Sequence, residues 1–170
     1  MRSYVLPRFL RSPFVVALWS CYESGVESIS RELHQYVGGP DLHLRDLRGD
    51  LFDRARRYFE AVLGLELEDS ADRLGRLRDL YLVRNAIVHA NGLKDAMAVK
   101  EWARLGAVVA RNGMELSSHR GLLVPTEGYV QEAHSDVGAS LRELVRRARL
   151  RADSKGSEPA PRSQSSPLAD

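Results

Sequence analysis

The residues of this sequence that could do chemistry gather in one stretch, LYLVRNAIVHANG, from Leu80 to Gly92. An arginine, Arg84, interrupts an apolar run, an amide, Asn85, follows it, and a histidine, His89, comes five residues after the arginine. A guanidinium on a buried face is costly unless a carboxylate, a phosphate or water partners it. Its planar fork of donors matches phosphate oxygens, and histidine exchanges protons near neutral pH. The stretch thus offers an anion-binding fork and a proton-exchanging ring, and which partner the arginine takes decides the function. A plainer reading stands beside this one: Arg84 pairs with Glu23 or Glu27 of the first helix, and His89 is a helix-end cation favoured by the dipole.

Helical geometry sharpens the question. At about 100° per residue, Leu74, Leu77, Leu80, Tyr81, Ile87 and Val88 span one broad face, and Arg84 projects within roughly 20° of its centre. His89 lies about 140° around the helix, with Asn85 on the edge between them. One straight helix cannot aim both side chains at the same atom. A bend could, and so could two copies meeting across a twofold axis.

The positioning elements follow from periodicity and caps. Pro13 is expected to open a helix carrying Val15, Trp19, Tyr22, Val26, Ile29, Leu33 and Tyr36 inward, stopped by Gly38–Pro40. Asp50 reads as the N-cap of a second helix, with Leu51, Ala55, Phe59, Val62 and Leu63 inward, ending near Gly64. Ser70 caps the third helix, which reaches Asn91-Gly92, where Gly92 supplies the left-handed residue. A fourth helix is expected from about Asp95 to Arg111, with Val99, Trp102, Leu105 and Val109 as its stripe. GMELSSHRGLLVP reads as a small β-hairpin, and Pro125-Thr126 starts a last helix through Tyr129, Val130, Ala133, Val137, Leu141, Leu144 and Ala148. The expectation is an all-α bundle of about five helices with a hairpin inserted before the last: an arm over 1–12, a helical domain over 13–151, and a disordered Ser/Pro-rich tail over 152–170.

Composition sets the outer bounds. A chain of 170 residues, 44% hydrophobic and 28% charged, suits one globular domain plus a tail. Cys21 is the lone cysteine, which excludes an internal disulfide or a cysteine-based zinc site and fits a cytoplasmic setting. His34, His43, His119 and His134 share no metal-ligand spacing, and no HExxH, P-loop or Gly-rich dinucleotide motif occurs, so neither metal nor cofactor is expected. Arg2, Arg8 and Arg11 before FVVALWSC imitate an export signal, but the apolar core is too short and continues past Cys21 at helical spacing. No stretch approaches a membrane span. Only Lys94, Lys100 and Lys155 among the 25 basic residues are lysine, and arginine is the better phosphate fork. On the last helix, Arg142, Arg146, Arg147, Arg149 and Arg151 read either as a path for RNA phosphates or as cations that suit a helix C-terminus.

RNAIVHANG resembles the R-x(4–6)-H signature of HEPN domains, the higher eukaryotes and prokaryotes nucleotide-binding domains. Arg84 and His89 fit its spacing, and a polar residue after the arginine, here Asn85, is typical of it. The first helix, with its WSCYE, and the ARRYFEAVLG segment are similar to HEPN first and second helices. The resemblance implies a metal-independent endoribonuclease acting as a homodimer on RNA. Its catalytic residues would be Arg84 and His89, supported by Asn85 and Glu23, and its products a 2′,3′-cyclic phosphate and a 5′-hydroxyl. It implies a place in a defence, toxin or stress-response system, with a cognate inhibitor as a further partner. HEPN toxins silenced by a nucleotidyltransferase antitoxin often carry tyrosine two residues after the histidine, where this chain has Asn91. The alternative within the same fold is a non-catalytic module that binds nucleic acid or assembles as a dimer.

Overall fold

A computed structural model describes the backbone over residues 5–112, 114–117 and 121–156, and side chains over 9–112, 114 and 121–155. Five α-helices make up this part of the chain: α1 (Val5–Val37), α2 (Leu51–Tyr58), α3 (Ala71–Ala90), α4 (Val99–Arg111) and α5 (Glu127–Gly156). Between α4 and α5, β1 (Glu115–Ser117) pairs antiparallel with β2 (Leu122–Val124), Leu116 opposite Leu123. The all-α bundle with its hairpin is thus present. His119 and residues 157–170 lie outside the described residues.

Local chemistry starts and stops these helices largely as expected. Asp50 accepts the Asp53 N–H at 2.9 Å, and Ser70 accepts that of Arg73 at 3.3 Å. Gly64, at φ 65°, closes a single π-helical turn, Phe59–Leu63, that extends α2. Loss of the Ser70 hydroxyl would leave an orphan N–H at the start of α3. Ser70→Ala is therefore expected to cost about 1 kcal/mol in denaturant unfolding, with the slope of the transition unchanged.

Three boundaries differ from expectation. The first helix begins at Val5, and Pro13 lies inside it. Proline there removes one N–H, and the carbonyl it deprives belongs to Phe9 on an exposed turn that water can reach. Arg11 also anchors this turn, donating to the Pro125 carbonyl at 3.5 Å and approaching Glu127 at 3.6 Å. The fourth helix begins at Val99, after a 3₁₀ turn over Lys94–Ala96, and Val99 is 86% exposed instead of inward. The last helix continues past Ala152 to Gly156, five residues into the segment expected as tail.

The core is one cluster built on Val15, Trp19, Tyr22, Phe52, Tyr58, Phe59, Leu77, Leu80, Val83 and Leu144. Helices α1 and α5 lie side by side and parallel. Arg11 meets Glu127 at one end, and Tyr36 faces the groove of Ala148 and Ala152 at the other. Gly25 allows their close approach, since a Cβ there would stand 2.8 Å from Leu141. Helix α3 packs across both with opposite direction, its Tyr81 ring 4.9 Å from Trp19 and its Arg76 bound bidentately to Asp136 at 2.6 and 2.8 Å.

A polar cluster sits inside this contact. The Glu68 side chain is fully buried, and its Oε1 accepts Arg73 Nη2 at 2.9 Å and the Ser70 N–H at 3.2 Å. Burial alone would push the carboxyl up. The Arg73 guanidinium, with the nearby Ser140 hydroxyl and the Ser70 N–H, outweighs it and holds Glu68 at about 2. Ser140 lies near enough to favour the carboxylate, although its hydroxyl and Glu68 Oε2 fall outside direct hydrogen-bond geometry. Burial pushes the neighbouring Tyr22 hydroxyl up to about 12, so it stays protonated.

Candidate functional site at the end of the third helix

The packing of α3 determines where its polar residues point. Leu77, Leu80, Val83, Ala86 and Ala90 are its buried apolar positions, and the centre of that face lies on Val83. The face is turned by about 100° from the one expected on Arg84. The shift arises because α3 is covered both by α1 and α5 and by α4, which shares a groove with Ala86 and Ala90. Arg84 consequently sits half-buried on the flank, with Val88 beside it 45% exposed.

Arg84 does not meet the carboxylates expected for it. Glu23 approaches Arg54 instead, at 3.8 Å, and among the described residues Arg84 enters no ion pair. Its Nη1 donates to Asn85 Oδ1 at 2.9 Å, while its Nε is buried without a partner. Helical sequence neighbours point about 100° apart, so the long arginine reaches along the surface to hold the shorter amide.

Asn85 and His89 open into a groove of about 290 Å³ between α3 and α4. Helix α4 runs antiparallel to α3. Arg111 grips the buried Asp79 bidentately at 2.7 and 2.8 Å, with Asn112 adding a 3.3 Å bond, so the opposite end of α4 lies against the last turns of α3. Burial, with the Asp79 charge beside it, raises the pKa of the Tyr129 hydroxyl. From α4 the groove receives Glu101, Arg104 and Leu105, and from the preceding connection Met97; Tyr81 and Leu82 complete its apolar walls. Lys94 Nζ, 5.5 Å from the Trp102 ring centre, ties that connection to α4. His89 stands in the last turn of α3 and is exposed at the groove.

The end of α3 is more sharply turned than expected. Asn91 and Gly92 are both left-handed, at φ 53° and 72°, and both N–H groups converge on the Ala86 carbonyl. The Gly92 carbonyl then accepts the Leu123 N–H at 2.8 Å, so the hairpin braces the turn that follows His89.

The groove holds Asn85 and His89, which helical spacing sets on one edge of α3, leaves Arg84 one residue aside, and adds Glu101 and Arg104, which were not among the expected site residues. Glu101 and Arg104 stand three apart on the polar side of α4, the one signal that could have placed them on one surface. The other described histidines are elsewhere. His34 Nδ1 meets the Tyr58 hydroxyl at 2.9 Å, His43 packs edge-on to His34 at 5.4 Å, and His134 lies by Phe14. Among the described residues no group of three histidine, cysteine or carboxylate side chains could hold a metal ion. Of the α5 arginines, Arg147 donates to the Glu66 and Leu67 carbonyls at 2.8 and 3.2 Å and Arg151 to that of Leu63 at 3.2 Å, while Arg146 pairs with Glu143. Those three are fastened to the protein.

The fold is a mostly helical bundle with a small hairpin, and its groove is lined by an amide, an imidazole, a carboxylate and a guanidinium beside apolar side chains. Among the described residues no helix is long and apolar enough to cross a membrane. Comparison with protein-family models, curated proteins and solved structures finds no match to this chain.

Proposed function

We propose that this chain is a HEPN-type, metal-independent endoribonuclease, working as a homodimer in the cytoplasm within a defence, toxin or stress-response system under a cognate inhibitor. The observation that carries the reading is the opening of His89 and Asn85 into one groove with Arg104, while Arg84 lies next to it, bound to Asn85. In this reaction the RNA 2′-oxygen bonds to phosphorus as the bond to the 5′-oxygen breaks. His89 of one subunit takes the 2′-hydroxyl proton, and the second subunit's His89 protonates the departing 5′-oxygen. Guanidinium donors offset the charge growing on the phosphoryl oxygens. The half-exposed Val88 beside Arg84 offers an apolar contact for the second copy.

The second reading, a HEPN-fold module without catalysis, draws on the buried Nε of Arg84 and its bond to Asn85, which suit a structural arginine. A digest of total RNA with the purified chain separates the two. The expected result is cleavage in excess EDTA, with fragments ending in 2′,3′-cyclic phosphate and 5′-hydroxyl, by a protein that sediments as a dimer. Intact RNA, or cleavage restored only by magnesium, would sink the metal-free nuclease.

A further inference from the structure

We propose that the groove beside His89 is a guanine-binding pocket, in which the Glu101 carboxylate and the Asn85 amide read the base edge and Arg104 contacts the phosphate of the same nucleotide. As a statement about which RNA is cut, this rests on the ribonuclease reading; as a statement about binding, it stands on the groove alone.

The size comes first. About 290 Å³ is at the lower limit of the roughly 300–1,000 Å³ of ordinary small-molecule clefts, so the groove suits one nucleotide. Its apolar walls, Leu82, Met97 and Leu105, offer the flat faces of a base a dry surface, and Tyr81, whose ring packs against Trp19 and Phe52, lines it as well.

The polar groups then choose among bases. Arg84 Nη1 occupies Asn85 Oδ1, which leaves Asn85 Nδ2 as the free end of the amide, a donor. Glu101, ionised, only accepts. Among the described residues it enters no ion pair, although Arg104 stands three residues on, so both charges are free for a ligand. The groove therefore presents an acceptor with two oxygens and a separate donor. Guanine alone among the four bases carries two adjacent donors on its pairing edge, N1–H and the 2-amino group, next to an acceptor, O6. Adenine and cytosine set one donor group beside an acceptor, and uracil has a single N–H between two carbonyls. In adenine, cytosine and uracil the carboxylate would face a lone pair. Besides its place in the proposed charge stabilisation, Arg84 fixes which end of Asn85 faces the base.

Calorimetric titration of the intact wild-type chain with 5′-GMP and with 5′-AMP, in EDTA, tests the proposal. GMP should bind about ten- to a hundredfold more tightly than AMP, the range that one bidentate contact gives. Glu101→Gln should erase that difference, Arg104→Ala should weaken both nucleotides equally, and Arg84→Met should reduce the preference for GMP. Glu101 and Arg104 are exposed, so these two substitutions leave folding intact by circular dichroism. Equal affinity for the two nucleotides, no binding of either, or a preference that survives Glu101→Gln would overturn the proposal. Selective GMP binding by a chain that leaves RNA intact would uphold the pocket and refute the nuclease. RNA cleavage without GMP binding would do the reverse.

Discussion

On the ribonuclease reading proposed above, His89→Ala is expected to lower RNA cleavage by about 10²–10⁴-fold, the contribution of a well-placed general acid or base. The side chain is exposed in the last turn of α3 and makes no hydrogen bond to another described residue, so its removal should change stability by less than about 0.5 kcal/mol. A loss of cleavage with an unchanged unfolding midpoint would then report chemistry. Arg84→Ala is expected to lower the rate by at least about 10²-fold through lost charge stabilisation, and it also releases Asn85. Arg84→Lys separates the two effects, because a lysine keeps the charge but loses the fork. In a dimer whose site takes Arg84 from one subunit and His89 from the other, mixing the two inactive variants restores one intact site in each heterodimer. Full activity of His89→Ala would remove the imidazole from the proton transfers.

Acid stability should depend on Glu68. Its carboxyl is held at about 2 in the folded chain against an ordinary value of 4.5. A depressed carboxyl stabilises the fold at pH above its unfolded value, and that contribution disappears as pH falls through the folded one. The two values correspond to about 3 kcal/mol, present at neutral pH, eroding below about pH 4.5 and gone below about pH 2. Glu68→Gln should flatten this limb, so its unfolding free energy changes less than that of the wild type between about pH 6 and pH 2. Glu68→Ala leaves Arg73 with only the half-exposed Asp69 carboxylate, at 3.3 Å, and is expected to cost about 1.5–3 kcal/mol at neutral pH, the contribution of a hydrogen bond between charged groups. Parallel stability curves for wild type and Glu68→Gln would show that the buried carboxylate contributes no such term.

Much of the fold is legible in the chain because its signals are local. Asp50 and Ser70 each sit one residue before a helix, and Gly64 and Asn91-Gly92 each sit at a stop, because a cap is a bond between residues at most a few positions apart. The inward positions Val15, Trp19, Tyr22, Val26 and Leu33 follow from spacing along one long helix. Pro13 misled for a related reason. Proline punctuates a helix by its own covalent geometry, but a neighbouring exposed turn and the Arg11 contact with Pro125, more than a hundred residues away, let α1 run through it.

The candidate site divides along the same line. The sequence by itself determined that Asn85 and His89 share an edge of α3, since four residues make just over one turn. It could not determine which face of α3 is buried, because that is the sum of what α1, α5 and α4 cover. Tertiary packing alone moved the centre of that face from Arg84 to Val83, gave Glu23 to Arg54, and closed Glu68 inside the bundle with Arg73. It also brought Glu101 and Arg104 across to His89. Their place depends on the antiparallel return of α4, which the Arg111–Asp79 pair holds in register from the far end of the helix. Periodicity along one element carries no information about which side chains a second element will set opposite it, because that choice is made by the shared burial of both.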